Sequence, residues 1–76
     1  MTNETIQECR KNGIIILRSQ HDARKGKWKI VRMTWNGPYS HGWTRFNNSW
    51  DFTVESCERR IDRIVEGFPG QYIKDF

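Results

Sequence analysis

The sequence has few of the residues that build long helices. Leucine occurs once, as Leu17, and alanine once, as Ala23, whereas there are eight isoleucines, three valines and four tryptophans. β-branched and aromatic side chains pack well on a pleated sheet and are weaker helix formers than leucine or alanine. The composition therefore argues against an all-helical bundle and favours a sheet.

Paired cysteines and long apolar runs are also lacking. Cys9 and Cys57 belong to no CxxC pair, so we expect reduced thiols and no disulfide framework. Together with His21 and His41 they lack the close paired spacings of zinc modules, and we predict no metal and no cofactor. No apolar run approaches the ~20 residues that cross a bilayer, and the first residues do not resemble a signal peptide. We expect a cytoplasmic protein without a membrane partner.

The length limits the size of the core. A chain of 76 residues has room for one hydrophobic core, so we predict a single domain over residues 1–76. A domain of this size buries only about 60 to 65% of the surface that its unfolded chain exposes. Its stability is expected to be marginal, and partner binding or homodimer formation would bury further apolar surface.

The clearest predicted element is an amphipathic helix over residues 53–66. Thr53 is a suitable N-cap, Phe52 and Cys57 occupy the positions of a hydrophobic staple, and Gly67 and Pro69 end the helix. Its apolar stripe consists of Cys57, Ile61, Ile64, Val65 and Phe68.

Three strands are predicted before this helix. The apolar run that begins at Ile14 and ends at Leu17 is too short for a helix and indicates a central strand. Residues 27–35 form the second strand, and residues 43–47 form the third. The tail over residues 71–76 carries Tyr72, Ile73 and Phe76, and we expect it to pack back as an edge strand.

In the second predicted strand, apolar and polar residues alternate, but the alternation shifts by one position between Ile30 and Val31. Apolar residues before and after this point would therefore lie on opposite faces of a regular strand. A bulge at this point would let both sets face the helix, while Lys27, Lys29 and Arg32 point outward. The side chains expected beneath the helix are Trp28, Ile30, Val31, Met33, Trp35 and Phe46. A short N-terminal helix that begins with a capping box at Thr5 completes the prediction. The predicted fold is α+β, with a three- or four-stranded antiparallel sheet packed against one C-terminal helix.

Positive charge is concentrated in the first half of the chain. Residues 10–32 hold eight basic side chains and one acid, a net charge of +7, whereas the whole chain carries +4. The sheet face opposite the helix should therefore be basic. The expected nucleic-acid-binding residues on this face and in its adjoining loop are Arg18, Arg24, Lys25, Lys27, Lys29, Arg32, Trp43 and Arg45.

A non-enzymatic DNA- or RNA-binding protein is the first functional hypothesis. Cations bind phosphates and flat side chains stack on bases, and a sheet can present both. The alternative is a protein-interaction or inhibitor module, because Ile14, Ile16 and Trp43 would form an exposed apolar patch ringed by cations. Such a patch would fit a homodimer or an acidic protein partner.

A small basic ribonuclease is the third hypothesis. His41 is a candidate general base, with Tyr39 and Arg45 beside it. The sequence contains no catalytic motif around these residues, so we predict no catalytic residue.

The predicted element order resembles that of double-stranded-RNA-binding domains and of small ribonuclease toxins of the HicA type. The final helix, however, begins Thr53-Val54-Glu55-Ser56 and lacks the basic start expected of the former. The run Ser40-His41-Gly42 does not match the glycine-serine-histidine motif of the latter. The residues therefore assign the chain to no family.

Overall fold

The structure is a computed structural model that describes residues 1–75, apart from the side chain of residue 48. The described residues form helices α1 (Asn3–Lys11) and α2 (Val54–Gly67) and strands β1 (Ile15–Asp22), β2 (Lys27–Trp35), β3 (His41–Asp51) and β4 (Tyr72–Lys74). The predicted α+β class is confirmed, with the sheet in its four-stranded form. Phe76, which the tail prediction included, lies outside the described residues.

The sheet has the strand order β3-β2-β1-β4, so β1 and β2 are central. Neighbouring strands β1, β2 and β3 pair antiparallel, and β4 pairs parallel to β1. Helix α2 follows the edge strand β3 and leads to β4 at the opposite edge, so it crosses one face of the sheet. The tail does form an edge strand, as predicted.

Helix α2 begins where the sequence indicates. The Thr53 hydroxyl accepts a hydrogen bond from the Ser56 amide at 3.1 Å, which confirms the predicted N-cap. The predicted staple is wrong, because Phe52 is 74% exposed. Helix α1 begins earlier than predicted, with Thr2 rather than Thr5 as its N-cap. It ends at Asn12, and Gly13 then adopts a φ of +69°, which glycine accepts without a Cβ clash.

Apolar side chains are buried on both faces of the sheet, which differs from the one-sided core that the sequence suggested. The buried cluster beneath α2 consists of Leu17, Ile30, Cys57 and Ile61. The buried cluster on the opposite face, beneath α1, consists of Cys9, Ile16 and Met33. Each face of β1 therefore contacts a helix, which accounts for the continuous apolar run from Ile14 to Leu17.

Strand β2 has its predicted bounds, but its apolar residues do not all lie beneath α2. Trp28 and Ile30 pack with the α2-side cluster, together with Phe46, as predicted. Met33 and Trp35 pack with the α1-side cluster instead. Because both faces are covered, the apolar residues change face through ordinary strand alternation, and β2 needs no extra residue. Val31, which alternates with Ile30, is only 1% exposed on the Met33 side.

The irregularity in the sheet lies in β3, opposite Ile30. Lys29 pairs with Trp50 and Val31 pairs with Arg45, so residues 46–49 stand opposite a single residue of β2. Asn47, inside this bulge, has a φ of 56°, a left-handed conformation that asparagine tolerates better than most residues. The bulge predicted in the second strand is therefore wrong, and the irregularity at this level of the sheet belongs to β3.

None of the helices within residues 1–75 has the length and apolar character needed to cross a membrane.

Candidate nucleic-acid interface

Part of the sheet surface opposite α2 remains uncovered, because α1 packs chiefly over β1. Strand alternation and the cross-strand register place six large side chains on this surface, which we call the open face. Its members are Arg18, Lys27, Lys29, Trp43, Arg45 and Trp50. Lys25, in the turn between β1 and β2, adjoins it.

Trp50 lies at the centre of a group of three cations. The Arg45 guanidinium stands 4.0 Å and the Lys25 ammonium 4.2 Å from the centroid of the indole ring. Lys29, the cross-strand partner of Trp50, has its ammonium 5.5 Å from the same ring. The negative π-face of the indole attracts all three charges, so this ring offsets part of their mutual repulsion.

A second stack extends across the sheet. The guanidinium of Arg18 on β1 lies 3.9 Å from the ring centroid of Trp43 on β3, so the side chain must cross the intervening strand β2. Val31 of β2 stands between Arg18 and Arg45 in the same cross-strand row and is only 1% exposed. The Arg18–Trp43 stack therefore covers an apolar position of β2 with a cation.

Few carboxylates neutralise these cations. Arg18 approaches Asp75 at 4.0 Å and Lys29 approaches Asp22 at 3.9 Å, both at the limit of an ion pair. Among residues 1–75, neither Lys25 nor Arg45 forms an ion pair with an acid. The open face therefore keeps a net positive charge in the folded chain.

Asp22 lies 3.9 Å from the Lys29 ammonium, and it supports the turn that carries Lys25. Its carboxylate accepts hydrogen bonds from the amides of Arg24 at 3.0 Å and Lys25 at 3.3 Å. Desolvation acts to raise the pKa of Asp22, but these amides and the charges of Lys29 and Lys25 outweigh it and lower the pKa. The carboxylate therefore stays ionised and holds the turn beside Trp50.

Two of the predicted site residues do not join the open face. Arg32 pairs with Leu17 and Thr44, which places it on the α2 side of the sheet, because β2 contains no bulge to turn it outward. Arg24 lies in the exposed turn beside Lys25. The other six predicted residues do come together; they are Arg18, Lys25, Lys27, Lys29, Trp43 and Arg45.

Sequence reasoning missed two aromatic residues of this region. Trp50 belongs to the continuation of β3 beyond Asn47, where the prediction ended the strand. Phe52 is highly exposed, and its ring lies 4.5 Å from the Lys27 ammonium. Both aromatic residues lie among polar residues just before the Thr53 cap. Aromatic residues at these positions could have indicated that the third strand continues as far as the helix.

The apolar patch expected for a protein-interaction module is not formed. Ile16 is 1% exposed because α1 covers it, and it packs with Cys9 and Met33. Trp43 is half-buried beneath the Arg18 guanidinium. The surface at this position is cationic rather than apolar.

The residues considered for metal binding or catalysis do not converge. Cys9 and Cys57 are buried on opposite faces of the sheet, and residues 1–75 contain no cluster of three or more potential metal ligands. His41 packs against Trp35, with 5.8 Å between ring centroids, while Arg45 lies four residues further along β3. Four residues of strand span about 13 Å, so these two side chains start from well-separated positions.

Cations stand over aromatic rings at several places in the structure. Within residues 1–75, six cation–aromatic pairs have separations between 3.9 and 5.5 Å. Five of the six involve the open face or its adjoining residues. The face therefore holds its cations over aromatic rings, and among these cations only Arg18 and Lys29 also approach an acid within residues 1–75, both at long distance.

Comparisons of the chain with protein-family models, with curated proteins and with solved structures find no match. No family match therefore supports the resemblance in element order to double-stranded-RNA-binding domains and small ribonuclease toxins. The geometry of the open face carries the functional argument.

Proposed function

We propose that this protein binds nucleic acid through the open face, without catalysing a reaction. The observation that carries the proposal is the stacking of Arg18, Lys25, Lys29 and Arg45 over Trp43 and Trp50. Cations placed on one surface contact several phosphates, and release of the counterions of the nucleic acid drives association.

Stacking favours this function in two ways. A flexible lysine or arginine loses side-chain entropy when it becomes fixed against a phosphate, and a cation already held over a ring loses less. A guanidinium that lies flat on an indole also leaves its N–H edges available for phosphate oxygens. The Arg45 guanidinium stands 4.0 Å from the Trp50 ring centroid, and its side chain is exposed, so it can reach a phosphate.

The aromatic faces are occupied by cations, so contacts to the phosphate backbone are expected to dominate over base stacking. A base that stacks on Trp50 would have to displace Arg45 or Lys25 from the ring. Alternatively, the base could stack on the guanidinium plane of Arg45. We therefore expect modest sequence preference and strong salt dependence.

The test is a fluorescence-anisotropy titration with labelled duplex and single-stranded DNA and RNA at two salt concentrations. The double variant Lys29→Gln/Arg45→Gln removes two charges from the open face, and Arg59→Gln/Arg63→Gln removes two from the exposed surface of α2. The first variant should weaken binding and reduce the slope of log K against log salt by about 2. The second should change both much less.

Two outcomes would contradict the proposal. One is the absence of binding to all four nucleic acids at low salt. The other is an equal loss in both double variants, because net charge and not the open face would then govern association. Circular dichroism spectra of both variants establish that each remains folded.

A further inference from the structure

The pairing between the two central strands ends before the strands do. The last pair between β1 and β2 at this end of the sheet is Leu17 with Arg32. Beyond it, β1 continues in pairing with β4 through Ile15 and Ile16, whereas β2 continues in pairing with β3 as far as Trp35. The two strands are thus held by different neighbours and separate into a fork.

A cavity of about 190 Å³ lies at this fork. Its walls come from Arg10 of α1, from residues 13–16, and from Arg32, Met33 and Trp35 of β2. Arg32 belongs to the α2 side of the sheet and Trp35 to the α1 side, so the cavity draws walls from both faces. Within residues 1–75, no acidic residue lines it.

Arg32 has an unsatisfied donor. Its Nε is buried, and no hydrogen-bond acceptor within the described residues reaches it. Asp51 and Glu58 also carry buried carboxylate oxygens, but Arg60 and Lys74 pair with those carboxylates. Arg32 has no such ion-pair partner within residues 1–75. A buried donor on a charged group that stays unpaired is costly, and native proteins contain few of them.

Arg10 supplies the second cation. Its Nη1 donates a hydrogen bond to the carbonyl oxygen of Gly37 at 2.7 Å, and the guanidinium lies 4.9 Å from the centroid of Trp35. These contacts fix the side chain and use one of its five N–H donors. The cavity is therefore bordered by two arginines: Arg10 is held by its contacts, and Arg32 has no ion-pair partner within residues 1–75.

We propose that the fork between β1 and β2 is a binding site for a phosphate group, with Arg10 and Arg32 as its ligands. Two guanidinium groups match the charge of a phosphate dianion, and arginine donors suit its oxygens. The volume is below the roughly 300 Å³ at which pockets for drug-sized ligands begin. The site accepts the phosphate and not a whole nucleotide. It is distinct from the open face and does not depend on the function proposed above.

The phosphate group has two possible sources, free phosphate and the terminal phosphate of a nucleic-acid strand. The experiment is a ¹H–¹⁵N NMR titration at constant ionic strength with inorganic phosphate, with a 5′-phosphorylated dinucleotide and with its 5′-hydroxyl form. Saturable shifts of the Arg32 side-chain N–H and of the amides of residues 13–16 support the site. Shifts with inorganic phosphate identify free phosphate as sufficient. Shifts with the phosphorylated dinucleotide alone identify a strand end.

The Arg32→Gln variant should lower the affinity about tenfold or more, since it removes a charge-assisted hydrogen bond. Arg45→Gln, which removes the same charge from the open face, should leave it unchanged. This control separates the site from the nucleic-acid interface, because only Arg45→Gln should weaken binding of long nucleic acids.

The proposal is overturned if neither phosphate source gives saturable shifts, if the shifts persist in Arg32→Gln, or if they map to Arg18 and Arg45. The wild-type shift map decides the question even if Arg32→Gln does not fold.

Discussion

The Arg45 guanidinium lies 4.0 Å from the ring centroid of Trp50, although five positions separate the two residues along β3. Their partners on β2, Val31 and Lys29, are only two positions apart. Residues 46–49 form the bulge, and by leaving the regular pairing they bring Arg45 and Trp50 to adjacent sites on the same face. The bulge thereby assembles the centre of the open face.

Replacement of Trp50 should weaken nucleic-acid binding without a change in net charge. Trp50→Ala releases Arg45, Lys25 and Lys29 from their common ring, so each would lose more side-chain entropy on binding. We expect a several-fold loss of affinity in the anisotropy titration. The control is Tyr39→Ala, since Tyr39 is 91% exposed. Equal affinities of Trp50→Ala and the wild type would show that the stacks do not matter.

The left-handed conformation of Asn47 leads to a prediction on stability. Asn47→Ala should destabilise the fold by about 1 kcal/mol, because a Cβ-bearing residue without a short polar side chain is unfavourable at a φ of 56°. Asn47→Gly should be neutral or slightly stabilising. Urea denaturation monitored by tryptophan fluorescence measures both. Identical midpoints for the two variants would argue against a strained bulge.

Because both faces of the sheet are buried, two isoleucines on opposite faces should contribute similarly to the free energy of unfolding. Ile16 faces α1 and Ile30 faces α2, and each is 1% exposed. Ile16→Val and Ile30→Val should each cost about 0.5 to 1.5 kcal/mol in the free energy of unfolding. Chemical denaturation of the two variants tests this. A negligible loss for Ile16→Val would indicate that the α1 side is open.

The two thiols should be unreactive in the folded chain. Desolvation raises the pKa of Cys57, and the charge of Asp51 adds to this effect; desolvation and Glu8 likewise raise the pKa of Cys9. We expect little alkylation of either by iodoacetamide at pH 8 in the native state. In urea both should react, and mass spectrometry counts the adducts. Rapid modification of a native thiol would place it at the surface.

Lys74 should make stability depend on alkaline pH. The hydrogen bond from its ammonium to Glu58 raises its pKa above 10.5, against a smaller desolvation effect, and the charges of Glu58 and Asp62 contribute. The stabilising contribution of the Lys74 ammonium is therefore complete below pH 10.5 and is lost as the pH rises through the raised pKa of Lys74 in the folded chain.

Lys74→Gln should accordingly lower stability at pH 8 and reduce the further loss between pH 8 and pH 11. Denaturant titrations at the two pH values measure both effects. Lys11→Gln, which removes an exposed charge of α1, is the control and should retain the wild-type pH dependence. A wild-type pH dependence in Lys74→Gln would exclude this ion pair as its source.

Local sequence signals were sufficient where neighbouring residues decide the structure. The bounds of β2 follow from the turn residues on either side of its apolar alternation, and the start of α2 follows from the Thr53 hydroxyl. The basic character of the open face likewise follows from the charge of residues 10–32, because strand alternation then places Lys27 and Lys29 together. Six of the eight predicted site residues come together for this reason.

The tertiary structure decided which side of the sheet each residue faces. The phase change between Ile30 and Val31 admits two solutions, an extra residue in β2 or a second covered face, and the sequence does not distinguish them. Packing of α1 against Ile16 selects the second solution, and this choice turns Arg32 away from the open face and into the fork. The sequence by itself determined the order of the helices and strands, the bounds of β2, the start of α2 and the basic character of the sheet. Because burial depends on contacts between residues distant in the chain, only the tertiary structure could divide those charges between the open face and the fork.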